Sequence, residues 1–165
     1  MVTSLLLVAG LSACGGSGGG VARTSAGPTL GTPPASHTCP TAAKVNSALG
    51  TTLPKPTGVS GGSGGLPAGA TAVVCNYHAT SYNVIIELIS NISPSDITMF
   101  SNKFPVAFTK VSGVGDQARA FRQTLSGGKI NEGVVATKGN FTVLIVATYT
   151  PASLSQVESL VRSLL

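Results

Sequence analysis

Apolar positions in this chain change period along its length, and each change marks an element. In "CPTAAKVNSALG" (39–50), Ala42, Val45 and Leu49 share one helical face, Pro40 suits the first helical position and Gly50 suits the stop. Two β-rich runs follow, "TAVVCNYH" (71–78) and "SYNVIIELIS" (81–90). The polar break at Ala79-Thr80 between them predicts a hairpin. In the second run Val84, Ile86 and Leu88 fall on one face and Ile85 and Ile89 on the other, the two-sided pattern of a central strand.

Helical spacing returns in "SPSDITMFSNKF" (93–104). Ser93 caps, Pro94 starts, Asp96 favours the first turn, and Ile97, Phe100 and Phe104 form the stripe. Strands are predicted in "PVAFTKV" (105–111), "QARAFRQT" (117–124), "KINEGVVATKG" (129–139) and "NFTVLIVATYT" (140–150), with turns at Gly127-Gly128 and Gly139-Asn140. The chain closes on "TPASLSQVESLVRSLL" (150–165). Here Thr150 is the expected cap, Pro151 the first position, and Leu154, Val157, Leu160, Val161 and Leu164 the stripe. The order α–ββ–α–ββββ–α predicts an α+β fold: a mostly antiparallel sheet of about five to six strands with two or three helices packed on it.

Two tracts have no period. Both "GGSGGGVARTSAGPTLGTPPAS" (15–36) and "LPKPTGVSGGSGGLPAGA" (53–70) draw on a chain total of 21 glycines and 10 prolines. Such segments bury too little apolar surface to offset the entropy of ordering. The first reads as a flexible linker and the second as a mobile Gly-rich loop. The domain plan is then 1–13, 14–37 and a single α+β domain at 38–165.

The segment 1–13 explains itself at its end. "MVTSLLLVAGLSAC" has an apolar stretch from Leu5 to Leu11, too short to span a bilayer but the size of a secretory signal. Leu11-Ser12-Ala13-Cys14 resembles the bacterial lipobox. That resemblance implies a diacylglyceryl group on the Cys14 thiol, cleavage before Cys14, and a palmitate-bearing lipoprotein at the outer face of the cytoplasmic membrane. Residues 1–13 lack the Lys or Arg that usually opens a signal, so the true translation start is expected upstream. Stable anchoring takes more than one acyl chain. The tract at 15–36 would let the domain stand off by roughly 25 Å.

The chain has three cysteines. With Cys14 acylated and the domain exported to an oxidising compartment, Cys39 and Cys75 are left to pair with each other. A metal site assembled from them with His37 and His78 is the alternative, but His-x-Cys and Cys-x-x-His lack the usual zinc spacing. No metal and no cofactor are expected.

Charge narrows the partners. Charged residues make up 9% of the chain, against about a quarter in ordinary domains, and the net charge is +5. The basic residues are scattered, without a Lys/Arg run or a nucleic-acid motif, so no nucleic-acid partner is expected. Gly-x-Ser-x-Gly occurs at 15–19, 58–62 and 61–65, each time inside a Gly/Ser tract with no predicted strand leading into a helix, so none reads as a nucleophile elbow. The five acidic residues are Glu87, Asp96, Asp116, Glu132 and Glu158. Asp96 and Glu158 have helical roles, and nothing marks the other three as a catalytic pair. "SGVGDQA" (112–118) lacks a P-loop Lys. It reads as a tight turn using Gly113 and Gly115, with Asp116 bonding local backbone.

With its lipobox and linker, "CPTAAKVNSALG", "AVVCNYH", "VSGVGDQARA" and the closing strand and helix, the chain resembles small actinobacterial cell-envelope lipoproteins with a domain of unknown function. Sensor domains of mycobacterial Ser/Thr kinases and Mog1/PsbP-like domains share a similar element order. The resemblance implies a Cys39–Cys75 disulfide and a binding or scaffolding role, and it assigns no catalytic residue. The expectation is a non-enzymatic, lipid-anchored binding or interaction module with an unknown envelope ligand or protein partner. An envelope hydrolase and a purely structural surface lipoprotein are the alternatives.

Overall fold

The computed structural model describes residues 38–60, 65–104 and 106–165. The expected signal, the Cys14 anchor and the linker therefore lie outside the described residues, as does His37. The fold is α+β. Seven strands, every neighbouring pair antiparallel, form one sheet in the order β1-β2-β3-β7-β6-β5-β4, and three α-helices pack on it.

The first helix, α1, is Ala42–Leu49. Its cap is Thr41, whose hydroxyl accepts from Lys44 N at 3.3 Å, so Pro40 precedes the helix rather than starting it. Proline has no side-chain oxygen with which to cap a first-turn N–H. The strands β1 (Thr57–Ser60) and β2 (Thr71–His78) pair with Gly58 opposite Cys75. This corrects the strand count: part of the tract at 53–70, read from the sequence as a loop, is a seventh strand. Its entrance is also held. Leu53 is buried, and Asn46 brackets it, with Oδ1 accepting from Leu53 N at 2.6 Å and Nδ2 donating to Leu53 O at 2.9 Å. Edge pairing needs only backbone groups, which hydrophobic periodicity does not report.

Next come β3 (Asn83–Ser90), a short 3-10 turn at Pro94–Asp96 and α2 (Ile97–Lys103). Ser93 and Asp96 form the capping box expected of this start. β4 is only Thr109–Val111, shorter than the predicted 105–111. Phe108 leaves the ladder to pack on Phe121, ring centroids 5.2 Å apart, and burying the ring outweighs extending an exposed edge. β5 (Gln117–Thr124), β6 (Ile130–Lys138) and β7 (Phe141–Thr148) form a meander, and α3 (Leu154–Leu164) ends the chain. The cap of α3 is Ser153, not Thr150. Gln156 Oε1 accepts from Ser153 N at 2.8 Å, completing a box that only residues three apart can make.

The central strand is β7, and β3 beside it is an interior strand, which fits the two-sided apolarity of "VIIELI". One core lies between the sheet and α1 and α3, with Val45, Leu49, Ile86, Ile145, Val157 and Leu160 fully or nearly buried. The second lies on the opposite face beneath α2, built from Ile89, Ile97, Phe100, Phe121 and Leu144.

Candidate functional site

Cys39 and Cys75 are joined as a disulfide, with Cα atoms 5.5 Å apart. The bonded sulfurs are not thiolate ligands, and no cluster of three or more metal-binding side chains occurs among the described residues. The bridge ties the lead-in of α1 to the middle of β2. Gly58 sits against it, where a Cβ would come 3.2 Å from Cys39 Sγ. Close by, the fully buried Tyr77 donates its hydroxyl to Pro40 O, and burial pushes its pKa up to about 12. These residues fasten α1 to the sheet.

Residues 113–116 form a bend, and Asp116 bonds across the fold rather than locally. Its N–H donates to Thr137 O at 2.7 Å, and its Oδ2 accepts from Gly139 N at 2.7 Å in the β6–β7 turn. Gly115 has φ +59, and a Cβ there would run into the Thr137 carbonyl, so the clasp requires glycine. Arg162 Nε donates to Gly113 O at 3.0 Å from α3. The motif is a structural clasp joining two turns and a helix.

The remaining acidic side chains separate by environment. Asp96 caps, and Glu158 pairs with Arg162 at 3.8 Å within α3. Glu132 is different. It lies on β6 in phase with Val134 and Ala136, on the face that α3 covers, and its side chain is 4% exposed. Its register partner on β5, Arg122, approaches with Nε 3.3 Å from Oε1, and Arg122 is 57% exposed. Oε2 is buried and has no hydrogen-bond partner among the described residues. Burial raises the Glu132 pKa above the ordinary 4.5, and Arg122 lowers it against that larger effect.

A pocket of about 340 Å³ has both Glu132 and Arg122 in its lining. Its wall is the segment between β7 and α3, Thr150 to Ser153, with Ile130 and Ala147 on the strand side. The volume is near the lower end for small-molecule sites. The shift of the α3 cap from Thr150 to Ser153 creates this wall, since the residues between stay outside the helix.

A second hollow, about 480 Å³, lies at the same strand ends. Tyr149 there is 40% exposed with φ 61, a backbone conformation costly for an aromatic residue. Its N–H donates to Ile130 O at 2.8 Å, and Lys129 Nζ lies 4.3 Å from its ring centroid, which together hold the loop that leads to the Glu132 pocket.

Sequence reasoning passed over Glu132 and Arg122. The signal was present: in "INEGVVA" the period of two puts Glu132 on the same face as Val134 and Ala136, and in "QARAFR" it puts Arg122 with Ala118 and Ala120. A carboxylate in phase with a core face is the feature to look for.

The Gly-x-Ser-x-Gly at 58–62 begins on the edge strand β1 rather than at a strand-to-helix turn; the copy at 15–19, and most of the one at 61–65, lie outside the described residues. No protein-family model matches the chain, and comparison with curated proteins and with solved structures finds no match.

Proposed function

We propose that this protein is a lipid-anchored extracytoplasmic binding module of the bacterial cell envelope, with its ligand held at the Glu132 pocket. The observation that carries the binding role is Glu132, which lines a pocket and whose buried Oε2 lacks a hydrogen-bond partner among the described residues. A buried polar atom without a hydrogen bond costs about 1–3 kcal/mol, and more when charged, so a site that retains one is set up to receive a donor. Export and anchoring are supported by the lipobox-like Leu11-Ser12-Ala13-Cys14, and the Cys39–Cys75 bridge fits an oxidising compartment. No described helix is long and apolar enough to cross a membrane; the anchor in this reading is the acylated Cys14.

Saturation-transfer NMR tests the binding role, using full-length protein in detergent micelles and the low-molecular-weight fraction of an envelope extract. Compounds that gain signal with the wild type and lose it with Glu132→Gln are the expected result. An identical set with both proteins, or none with either, removes Glu132 as the site. The raised pKa of Glu132 favours one other reading, an envelope hydrolase using this carboxyl as general acid or base. Turnover of a retained compound in the same sample would identify it.

A further inference from the structure

The sheet face opposite the Glu132 pocket carries two cations side by side. Lys110 on β4 and Arg119 on β5 are register partners, so their side chains leave the sheet on the same face. It is the face beneath α2. Arg119 is in phase with Phe121, which belongs to that core, and Lys110 is in phase with Phe108, whose ring packs on Phe121. Directly opposed side chains in an antiparallel ladder stand about 4.5–5.5 Å apart at Cβ, and like charges there repel. Neither side chain has an ion pair or a hydrogen bond among the described residues.

A lysine on an edge strand has an ordinary role, since its charge discourages pairing with another chain. Arg119 has no such role. β5 lies one strand in from the edge, between β4 and β6, and Arg119 is half-buried there. Its guanidinium carries five donors, and the described residues supply no acceptor for them.

Both cations line a hollow of about 460 Å³, with Phe108, Asp116, Gln117 and Ala118. Lys110, Asp116 and Gln117 are exposed, so ligands in solution can reach the charged groups. Asp116 forms no ion pair with either cation; its Oδ2 accepts from Gly139 N at 2.7 Å instead.

The group that completes this arrangement is an anion with several acceptor oxygens. A carboxylate brings one charge to two cations. A nucleic-acid backbone takes a track of cations, and only two meet here. A phosphate monoester carries roughly −1.5 to −2 charges near neutral pH and three acceptor oxygens. The Arg119 fork suits two of those oxygens, and the Lys110 ammonium acts as a point charge. The hollow is within the size range of small-molecule sites, which leaves room for the esterified group.

We propose that the Lys110–Arg119 hollow binds a phosphate monoester, its oxygens on the Arg119 guanidinium and the Lys110 ammonium. The site is separate from the Glu132 pocket and does not depend on it. A soluble ester and a phosphatidate headgroup present the same phosphate chemistry.

Amide NMR of the full-length protein in uncharged detergent micelles tests this with glycerol 1-phosphate, with phosphatidate doped into the micelles, and with acetate. One or both phosphate compounds should shift the amides of Lys110 and Arg119 at concentrations about tenfold or more below those acetate needs. Shifts with glycerol 1-phosphate show that a soluble ester suffices; shifts with phosphatidate alone identify a lipid headgroup. Lys110→Gln and Arg119→Gln should each weaken binding about tenfold or more, with unchanged thermal unfolding as the check on folding. If Arg119→Gln alters unfolding, Arg119→Lys replaces it: charge is kept, the fork is lost, and binding should still weaken. Lys55→Gln removes an exposed charge outside the hollow and should change affinity less than about twofold. The proposal is overturned if neither phosphate compound shifts these amides, or if acetate binds as tightly. It is also overturned if Lys55→Gln weakens binding as much as the variants in the hollow, which would reduce the effect to net charge.

Discussion

Glu132 shows how one residue's surroundings reverse its usual behaviour. An exposed glutamate favours the ionised form, but here burial disfavours it more than Arg122 restores it, and the pKa rises above 4.5. The folded state therefore holds the proton more tightly than the unfolded chain. Its contribution is fully present below about pH 4.5, the ordinary value, and is lost as pH rises through the raised folded value. Glu132→Gln cannot ionise. The melting temperature of the wild type relative to Glu132→Gln should thus be highest in acid and fall toward neutral pH. A difference that is flat, or that grows as pH rises, would contradict the burial argument. The type of Glu132 is plain in the sequence, and its face follows from the period of two. Its partner is not legible there, because Arg122 meets it only through the β5–β6 register.

Among the elements, the long ones were readable and the edges were not. Gln117–Thr124 and Thr71–His78 coincide with the predicted strands, since alternating apolar residues over eight positions leave little choice of phase. The edge strands β1 and β4 depend on backbone pairing to a neighbour, which sequence pattern does not encode. β1 also depends on the bridge beside it. The Cys39–Cys75 bridge spans 36 residues and encloses α1 and the whole Gly-rich tract. The chain-entropy relation gives it about 4 kcal/mol. Replacing both cysteines by serine should lower unfolding stability by about that amount in denaturant titrations. A loss under about 1 kcal/mol would show that the tract is ordered without the bridge.

At the scale of the molecule, the sheet joins two meanders, β1-β2-β3 and β4-β5-β6-β7, along the β3–β7 seam, with α2 crossing between them. The proposed anchor lies at the other end of the chain from α3, so attachment and binding are separable. Intact-mass measurement of membrane-extracted protein should find a chain beginning at a diacylated Cys14, and Cys14→Ser should lose that modification. An unmodified Cys14 still preceded by residues 1–13 would refute the anchor. The sequence by itself determined the α+β class, the order of the three helices and six of the seven strands, and the interior place of Asn83–Ser90. All of these depend on local period. Only the tertiary structure decided the seventh strand, the reach of Asp116 to Gly139, and the pocket at Glu132. Each arises where segments distant in the chain are brought together, and such contacts carry no period along it.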